Sequence, residues 1–284
     1  MLRPSYLLAQ SVLTAWILVC ATLEAAELPP TVAASLIQIS PTASPGEITP
    51  FADAGETLYI VEVQIPGSQA TREWHFDAQG VPVGVQVFEK DLPQAVREAL
   101  TPHLNRKGAE LSDAVKIFEA DKALFEVEIT CERQSKVLGF YSDGRPAYTE
   151  ADLQSLPKPL QKSAHELAQT EGALENILRV ERKGRALYQL SIHRPKKPLW
   201  ITLHPSGAVE EREEVVDFRA TPESVQSAIL AKADSGDRVR VLLKQAGKTL
   251  EFEVHFFRDS KLHILHLSET GETKGPPVEP LTLP

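Results

Sequence analysis

The feature that most constrains the fold is a sequence period of about 64 residues. One mark of the period is a proline with an apolar residue three positions later. These prolines lie 64, 64 and 65 residues apart, at Pro29, Pro93, Pro157 and Pro222. A second mark is a glycine after a polar run. These glycines lie 64, 63 and 64 residues apart, at Gly80, Gly144, Gly207 and Gly271. Two marks of different chemistry with one period indicate tandem copies of one unit.

Each period predicts a helix followed by antiparallel strands. Proline suits the first turn of a helix, where its missing N–H would have no partner, and Val96 and Leu100 then lie on one helical face. Downstream, apolar residues alternate with mostly polar ones, as at Phe125, Val127 and Ile129, which is typical of a half-buried strand. The fold class predicted is therefore α+β, with four tandem repeats of one helix packed on a three- to four-stranded antiparallel sheet.

The period also sets the predicted boundaries. We expect a signal peptide, four units and a proline-rich disordered tail, at residues 1–26, 27–91, 92–155, 156–220, 221–271 and 272–284. The first unit departs from the pattern because its early strand is replaced by a loose stretch, 40–55. The tail contains four prolines in thirteen residues, which favours an extended, unpacked chain.

The amino terminus predicts export. Arg3 precedes a short apolar stretch ending at Leu23, and small residues follow at Ala25 and Ala26, which is the pattern of a cleaved secretory signal. We therefore expect a periplasmic or secreted protein with no membrane span after cleavage. Because cleavage leaves Cys131 as the one cysteine, an intramolecular disulfide is impossible. The net charge of −9 argues against nucleic acid and anionic membranes as partners.

These marks resemble those of PepSY-like repeats, also called β-lactamase-inhibitor-like. The shared pattern is a helix opened by Leu-Pro, a Tyr-x-Val-x-Val strand such as 59–63, and a Phe-Asp-x-x-Gly turn such as 76–80. The fourth unit departs from it, with Thr221 in place of the leucine and Leu267-Ser268 in place of Phe-Asp. The resemblance implies helices on one face of an antiparallel sheet and a binding or inhibitory role outside the cytoplasm. It implies no catalytic residues.

The sequence predicts no enzyme, no cofactor and no metal site. His263 and His266 are three apart on a strand, so their side chains point to opposite faces. His255 and His266 are expected on the same side of neighbouring strands, but a third ligand is missing. Cys131 has no histidine close in sequence that could activate it, and an inert thiol is expected.

Three functions stay open at this point. The first is a non-catalytic module that binds or inhibits an unidentified protein, such as a peptidase or another hydrolase. The second is an envelope-associated scaffold with no enzyme target, and the third is an unrecognised hydrolase. If a partner binds, we expect it on the sheet face opposite the helices, where apolar and aromatic residues recur. The candidate residues are Val137, Tyr141, Trp200, Ile264 and His266. The alternative is that these faces pack on one another between units.

Overall fold

The structure is a computed structural model that describes residues 28–282 apart from 43–44, 54–55, 65–66, 68–69, 119–122, 133, 183, 196, 235 and 276–277. The predicted signal peptide, residues 1–26, lies outside the described residues. Four helices are described, namely α1 (Pro30–Ile39), α2 (Gln94–Leu104), α3 (Lys158–Thr170) and α4 (Glu223–Leu230). Each begins at the residue after a marked proline, as the sequence predicts. Short 3-10 turns precede the last three helices, at Glu89–Asp91, Leu153–Ser155 and Phe218–Ala220.

Sixteen described strands form one antiparallel sheet, in which every strand pairs with its neighbours in the sequence. Four strands follow each helix, and together they define four segments of the chain. The first segment (30–86) contains β1 (Pro45–Asp53), β2 (Glu56–Gln64), β3 (Thr71–Asp77) and β4 (Pro82–Gln86). The second segment (94–150) contains β5 (Ala109–Ile117), β6 (Leu124–Cys131), β7 (Gln134–Tyr141) and β8 (Pro146–Glu150).

The remaining eight strands continue the same order. The third segment (158–216) contains β9 (Ala173–Arg182), β10 (Arg185–His193), β11 (Leu199–Leu203) and β12 (Val209–Val216). The fourth segment (223–282) contains β13 (Arg238–Ala246), β14 (Thr249–Arg258), β15 (Lys261–Ser268) and β16 (Leu281–Thr282). The tail predicted to be unpacked therefore includes a short strand. Leu281 is partly buried and packs with the core of the first segment.

The predicted fold class is wrong, because the strands do not form four separate helix-on-sheet repeats. The last strand of each of the first three segments pairs with the first strand of the next, as Gly84 opposite Ile117, Tyr148 opposite Val180 and Val216 opposite Val241. The protein is mostly β, with one continuous sheet. The physical reason is that separate sheets would each expose two edges of unpaired N–H and C=O groups, and continuous pairing satisfies them. Alternation within a strand carries no information about which strand lies beside it.

The helices cover one face of the sheet, which we call the helix face. In the second segment, Val96 and Leu100 of α2 are buried against Phe125, Val127 and Phe140 of the strands. Equivalent clusters lie under the other three helices. The residues four and six positions before each marked glycine, such as Phe76 and Trp74, all belong to these clusters.

The marked glycines fix each hairpin against its own helix. Gly80 and Gly144 have φ of 83° and 80°, a region that favours glycine. A Cβ added to either would lie 2.5 Å from a backbone oxygen in the first turn of the helix, that of Thr31 or Ala95. Both the turn and the close approach therefore require glycine. Gly207 and Gly271 have the same features.

The opposite face of the sheet, which we call the inner face, is largely buried as well. One apolar cluster on it extends from Leu58 in the first segment through Val115 and Val137 to Leu178 and Leu187 in the third. The sheet curls around this face, because the side chain of Arg240 on β13 contacts those of Glu56 on β2 and Asp77 on β3.

Tyr148 shows how closely the inner face is packed. Its ring lies over Gly139, where an added Cβ would come within 2.5 Å of the ring. The Tyr148 hydroxyl donates a hydrogen bond to Glu126, two strands away on β6. Glycine at position 139 therefore gives the tyrosine room to reach across the neighbouring strand.

The curling brings the two ends of the sheet together. Phe257 and Leu262 of the fourth segment are buried in one cluster with Val32 and Leu36 of α1. At the same place, the hydroxyl of Ser260 donates a hydrogen bond to the backbone carbonyl of Gln38. The fourth segment therefore packs directly on the first.

Candidate functional site

The five predicted partner-binding residues do not form an open surface. Val137, Trp200 and Ile264 are only 1%, 2% and 2% exposed. Tyr141 is partly buried and packs against the inner-face cluster, and His266 is partly exposed. The apolar residues recur on this face because it packs on itself between segments, which is the alternative that the sequence left open. These five residues are therefore not available as one binding surface.

The two histidines expected on one side of neighbouring strands meet a single carboxylate. His255 is buried, and its Nε2 lies 2.6 Å from Oε1 of Glu253. Nδ1 of His266 lies 3.9 Å from the other oxygen of Glu253, which also forms an ion pair with Lys244. Among the described residues, no group of three or more His, Cys, Asp or Glu side chains could hold a metal ion.

A buried ion cluster joins the first and fourth segments. The guanidinium of Arg240 on β13 donates two hydrogen bonds to Glu56, at 2.5 and 2.7 Å, and one to Asp77 at 3.3 Å. Asp77 also accepts a hydrogen bond from the backbone N–H of Val81 at 2.7 Å. Since these three charged side chains are almost fully buried, the cluster is a structural junction without access for a substrate.

Burial perturbs the titration of this junction. It raises the pKa of Asp77 to about 6, with a further rise from Glu56, while Arg240 and the Val81 N–H act in the opposite direction. Folded Asp77 therefore keeps its proton at pH values where the unfolded side chain has lost it. Between about pH 4 and pH 6 the folded state binds more protons, so its stability decreases as the pH rises through this window.

We expect Asp77→Asn to flatten the pH dependence of stability. The wild type should lose about 2–3 kcal/mol of unfolding free energy from Asp77 between about pH 4 and pH 7, and the variant should lose much less. Burial also raises the pKa of Asp113 and Glu150, so some slope should remain. Urea unfolding at a series of pH values measures this. Asp143→Asn, a half-exposed control, should keep the wild-type slope, and an equal slope in Asp77→Asn would contradict the assignment.

A groove lies on the second segment at the end of α2. Its volume is about 760 Å³. The groove is lined from four places: the end of α2 and the turn after it, the start of β5, the β6–β7 hairpin, and the end of β8 with the two residues after it. The lining residues are His103, Arg106, Ala109, Ile129, Cys131, Glu132, Gln134, Ser135, Lys136, Leu138, Glu150, Ala151 and Asp152. The groove lies beyond the end of α2 at Leu104, beside the last residues of β6 and the first residues of β7.

Charges of both signs surround an apolar part of this groove. The partly buried side chains of Ala109 and Ala151 form this apolar part. Burial, Lys136 and Arg106 all lower the pKa of His103, which indicates that these basic groups lie close together. Burial raises the pKa of Glu150, which Lys136 opposes. The groove therefore offers apolar contact and both cationic and anionic groups to one ligand.

The sequence did not predict this groove. Its charged residues are distributed among three elements, and each looks like part of a solvated face when the chain is considered alone. The sequence predicts that Cys131 is an inert thiol, and the structure places it at the groove with its Sγ 3.7 Å from the carbonyl oxygen of Lys107.

Comparison with known proteins gives distant structural similarity only. No family model matches the chain, and no curated protein matches it. A DUF2874 family protein from Bacteroides ovatus is 12% identical with a TM-score of 0.35, and one from Bacteroides uniformis is 18% identical with a TM-score of 0.32. A proposed periplasmic protein from Bacteroides eggerthii is 14% identical with a TM-score of 0.33. The matches cover 43%, 42% and 43% of this chain and 86% of each of the three structures.

These findings correct the family resemblance. The PepSY-like, β-lactamase-inhibitor-like assignment is wrong, since no family model supports it and the strands form one sheet where it implies separate repeats. Short degenerate motifs such as 59–63 and 76–80 indicate a strand and a turn, and they do not indicate a family. In the described part of the chain, no helix is long and apolar enough to cross a membrane.

Proposed function

We propose that this chain is an exported, non-catalytic binding protein that holds a short segment of a protein partner in the groove of the second segment. The supporting observation is the lining of the groove, where Arg106, Lys136 and Glu150 lie around the partly buried apolar side chains of Ala109 and Ala151. A peptide segment carries apolar side chains, backbone hydrogen-bonding groups and charges together, and such a lining complements all three.

The groove supports binding better than the inner face does. A partner on the inner face would have to displace packed residues such as Val137 and Trp200, which are almost completely buried. The groove is open to solvent, and Arg106 and Lys136 lie in it beside the carboxyl groups of Glu132, Glu150 and Asp152. Reversing the charges of Arg106 and Lys136 would leave only acidic charged side chains in the groove, so it should weaken the binding of a segment that presents a carboxylate.

The experiment is capture of partners from an envelope extract with the mature protein, followed by mass spectrometry. We expect one stoichiometric partner with the wild type and at least about a tenfold lower recovery with Arg106→Glu/Lys136→Glu, because a mismatched charge pair costs several kcal/mol at a contact. Lys162→Glu on α3 is the matched control, since its side chain is 78% exposed and outside the groove. It should retain the partner.

Two other outcomes would contradict the proposal. Equal recovery with the double variant would place the partner elsewhere. The scaffold function would be favoured if both the wild type and the double variant sediment with the cell envelope and neither captures a stoichiometric protein. If the captured partner is a hydrolase, its activity with and without the wild type distinguishes inhibition from simple binding.

A further inference from the structure

A row of side chains on the inner face of the third segment carries polar atoms that nothing in the described chain satisfies. The indole Nε1 of Trp200, the side-chain oxygens of Gln189 and Asn176, and the hydroxyl of Ser191 are all buried without a hydrogen-bond partner there. Gln189, Ser191 and Trp200 are 2%, 1% and 2% exposed. Solvent at the protein surface therefore does not reach these three side chains.

The register places these atoms side by side. Ser191 on β10 lies directly opposite Asn176 on β9 and opposite Trp200 on β11. Gln189 is two positions before Ser191 and therefore points to the same face. Because directly opposed residues have Cβ atoms about 5 Å apart, the four side chains are neighbours on one face of three adjacent strands.

Such a concentration is unusual in a folded protein. More than about nine in ten buried polar groups have a hydrogen-bond partner in the protein or in ordered water. Elsewhere in the described chain, unsatisfied buried atoms also occur singly, as at the Ser35 hydroxyl in α1. Four in one region on three adjacent strands indicate a shared partner that is not part of the chain.

The chemistry of the four atoms selects that partner. The indole N–H can only donate a hydrogen bond, whereas the two amide oxygens can only accept one, and the serine hydroxyl can do both. An anion could not donate to the amide oxygens, and an ammonium group could not accept from the indole. A hydroxyl group does both. We propose that this row is a buried site for a hydroxyl-bearing ligand, either water or a small polyol.

The neighbouring charges agree with a neutral ligand. The row continues from Trp200 to Glu213 and then to Lys244 on the adjoining strands. Lys244 forms an ion pair with Glu253 and also lies directly opposite the buried Glu213, so two carboxyl groups of the chain already accompany its charge. A neutral hydroxyl adds no charge to this buried region, where an unpaired ion would be costly.

The sign of a stability change tests the proposal. If a ligand forms hydrogen bonds with the row, Ser191→Ala removes the hydrogen bond between the serine hydroxyl and that ligand. The melting temperature should then fall by about 2–4 °C. If the row is dry, the same change removes an unsatisfied hydroxyl, and the melting temperature should rise or stay level. Ser35→Ala is the matched control, a buried serine outside the row that should show no fall. A fall for Ser191→Ala that Ser35→Ala does not share supports the proposal, and no fall overturns it.

A high-resolution crystal structure grown without polyols identifies the source of the hydroxyl. Isolated oxygen density within about 3.2 Å of the Trp200 Nε1 supports water. Density for linked carbon and oxygen atoms supports a polyol retained from the cell, and native mass spectrometry of the purified protein should then show its added mass. A row with no density between its side chains overturns the proposal.

Discussion

Replacing Arg240 by methionine is expected to lower the free energy of unfolding by about 3–5 kcal/mol near pH 7.5, as measured by urea denaturation. The change leaves Glu56 and Asp77 buried without the cation that both contact. The loss should be smaller near pH 5, because Asp77, with its pKa of about 6, can then be neutral. A loss below about 1 kcal/mol at both pH values would mean that water reaches the junction.

Two further variants separate charge from packing at this junction. Arg145→Met removes an arginine that is 62% exposed, and it should change stability by less than about 0.5 kcal/mol. Combining Arg240→Met with Glu56→Leu and Asp77→Asn removes all three charges. We expect the triple variant to recover most of the loss, since apolar replacement of a whole buried ion cluster is often neutral or stabilising.

Replacing Phe125 by alanine is expected to cost about 3–5 kcal/mol of unfolding free energy. Phe125 is 5% exposed and packs between β6 and α2, where it belongs to one cluster with Val96 and Leu100. Truncation removes apolar contact and leaves a cavity beneath the helix. Chemical denaturation with both fluorescence and circular dichroism as probes measures the loss and checks that unfolding is a single transition.

Ile37→Ala on α1 provides the control for this truncation. Its side chain is 63% exposed, so the change should stay within about 0.5 kcal/mol. A loss below about 1 kcal/mol for Phe125→Ala would place its ring at the surface and contradict the core described under α2.

Local features of this fold could be predicted from the sequence because they depend on neighbouring residues. A proline favours the first turn of a helix, and a glycine favours a turn that needs a positive φ. Pro93 and Gly144 therefore indicate the start of α2 and the turn between β7 and β8 without any tertiary information. The alternation around Phe125 likewise identifies the face that meets the helix. These signals act over a few residues and survive in all four segments.

Strand β1 shows where local signals fail. The stretch 40–55 is expected to be loose, yet residues 45–53, which include Pro45 and Pro50, pair with β2 at the edge of the sheet. An edge strand tolerates proline, since a missing N–H that points to solvent breaks no pairing. Whether a strand lies at an edge is decided by the whole sheet.

The residues relevant to function could not be predicted because their surroundings depend on packing between residues distant in the sequence. Trp200 was expected at an interface because apolar residues recur on its face, and curling of the sheet buries that face instead. The groove depends on where α2 ends relative to β6 and β7, and the junction at Arg240 depends on closure of the sheet. None of these relations is encoded by a local period.

Pairing of every strand with its sequence neighbours also has a consequence for folding kinetics. Hairpins such as β6–β7 need only short loops, so each can form early with little entropy loss. The contact of Arg240 with Glu56, by contrast, joins residues 184 positions apart and becomes possible only when the sheet has curled. Closure should therefore be the late, slow event, since contacts distant in sequence form last. Until then, Phe257 and Leu262 remain uncovered, and it is during this interval that the nascent chain is most exposed to aggregation.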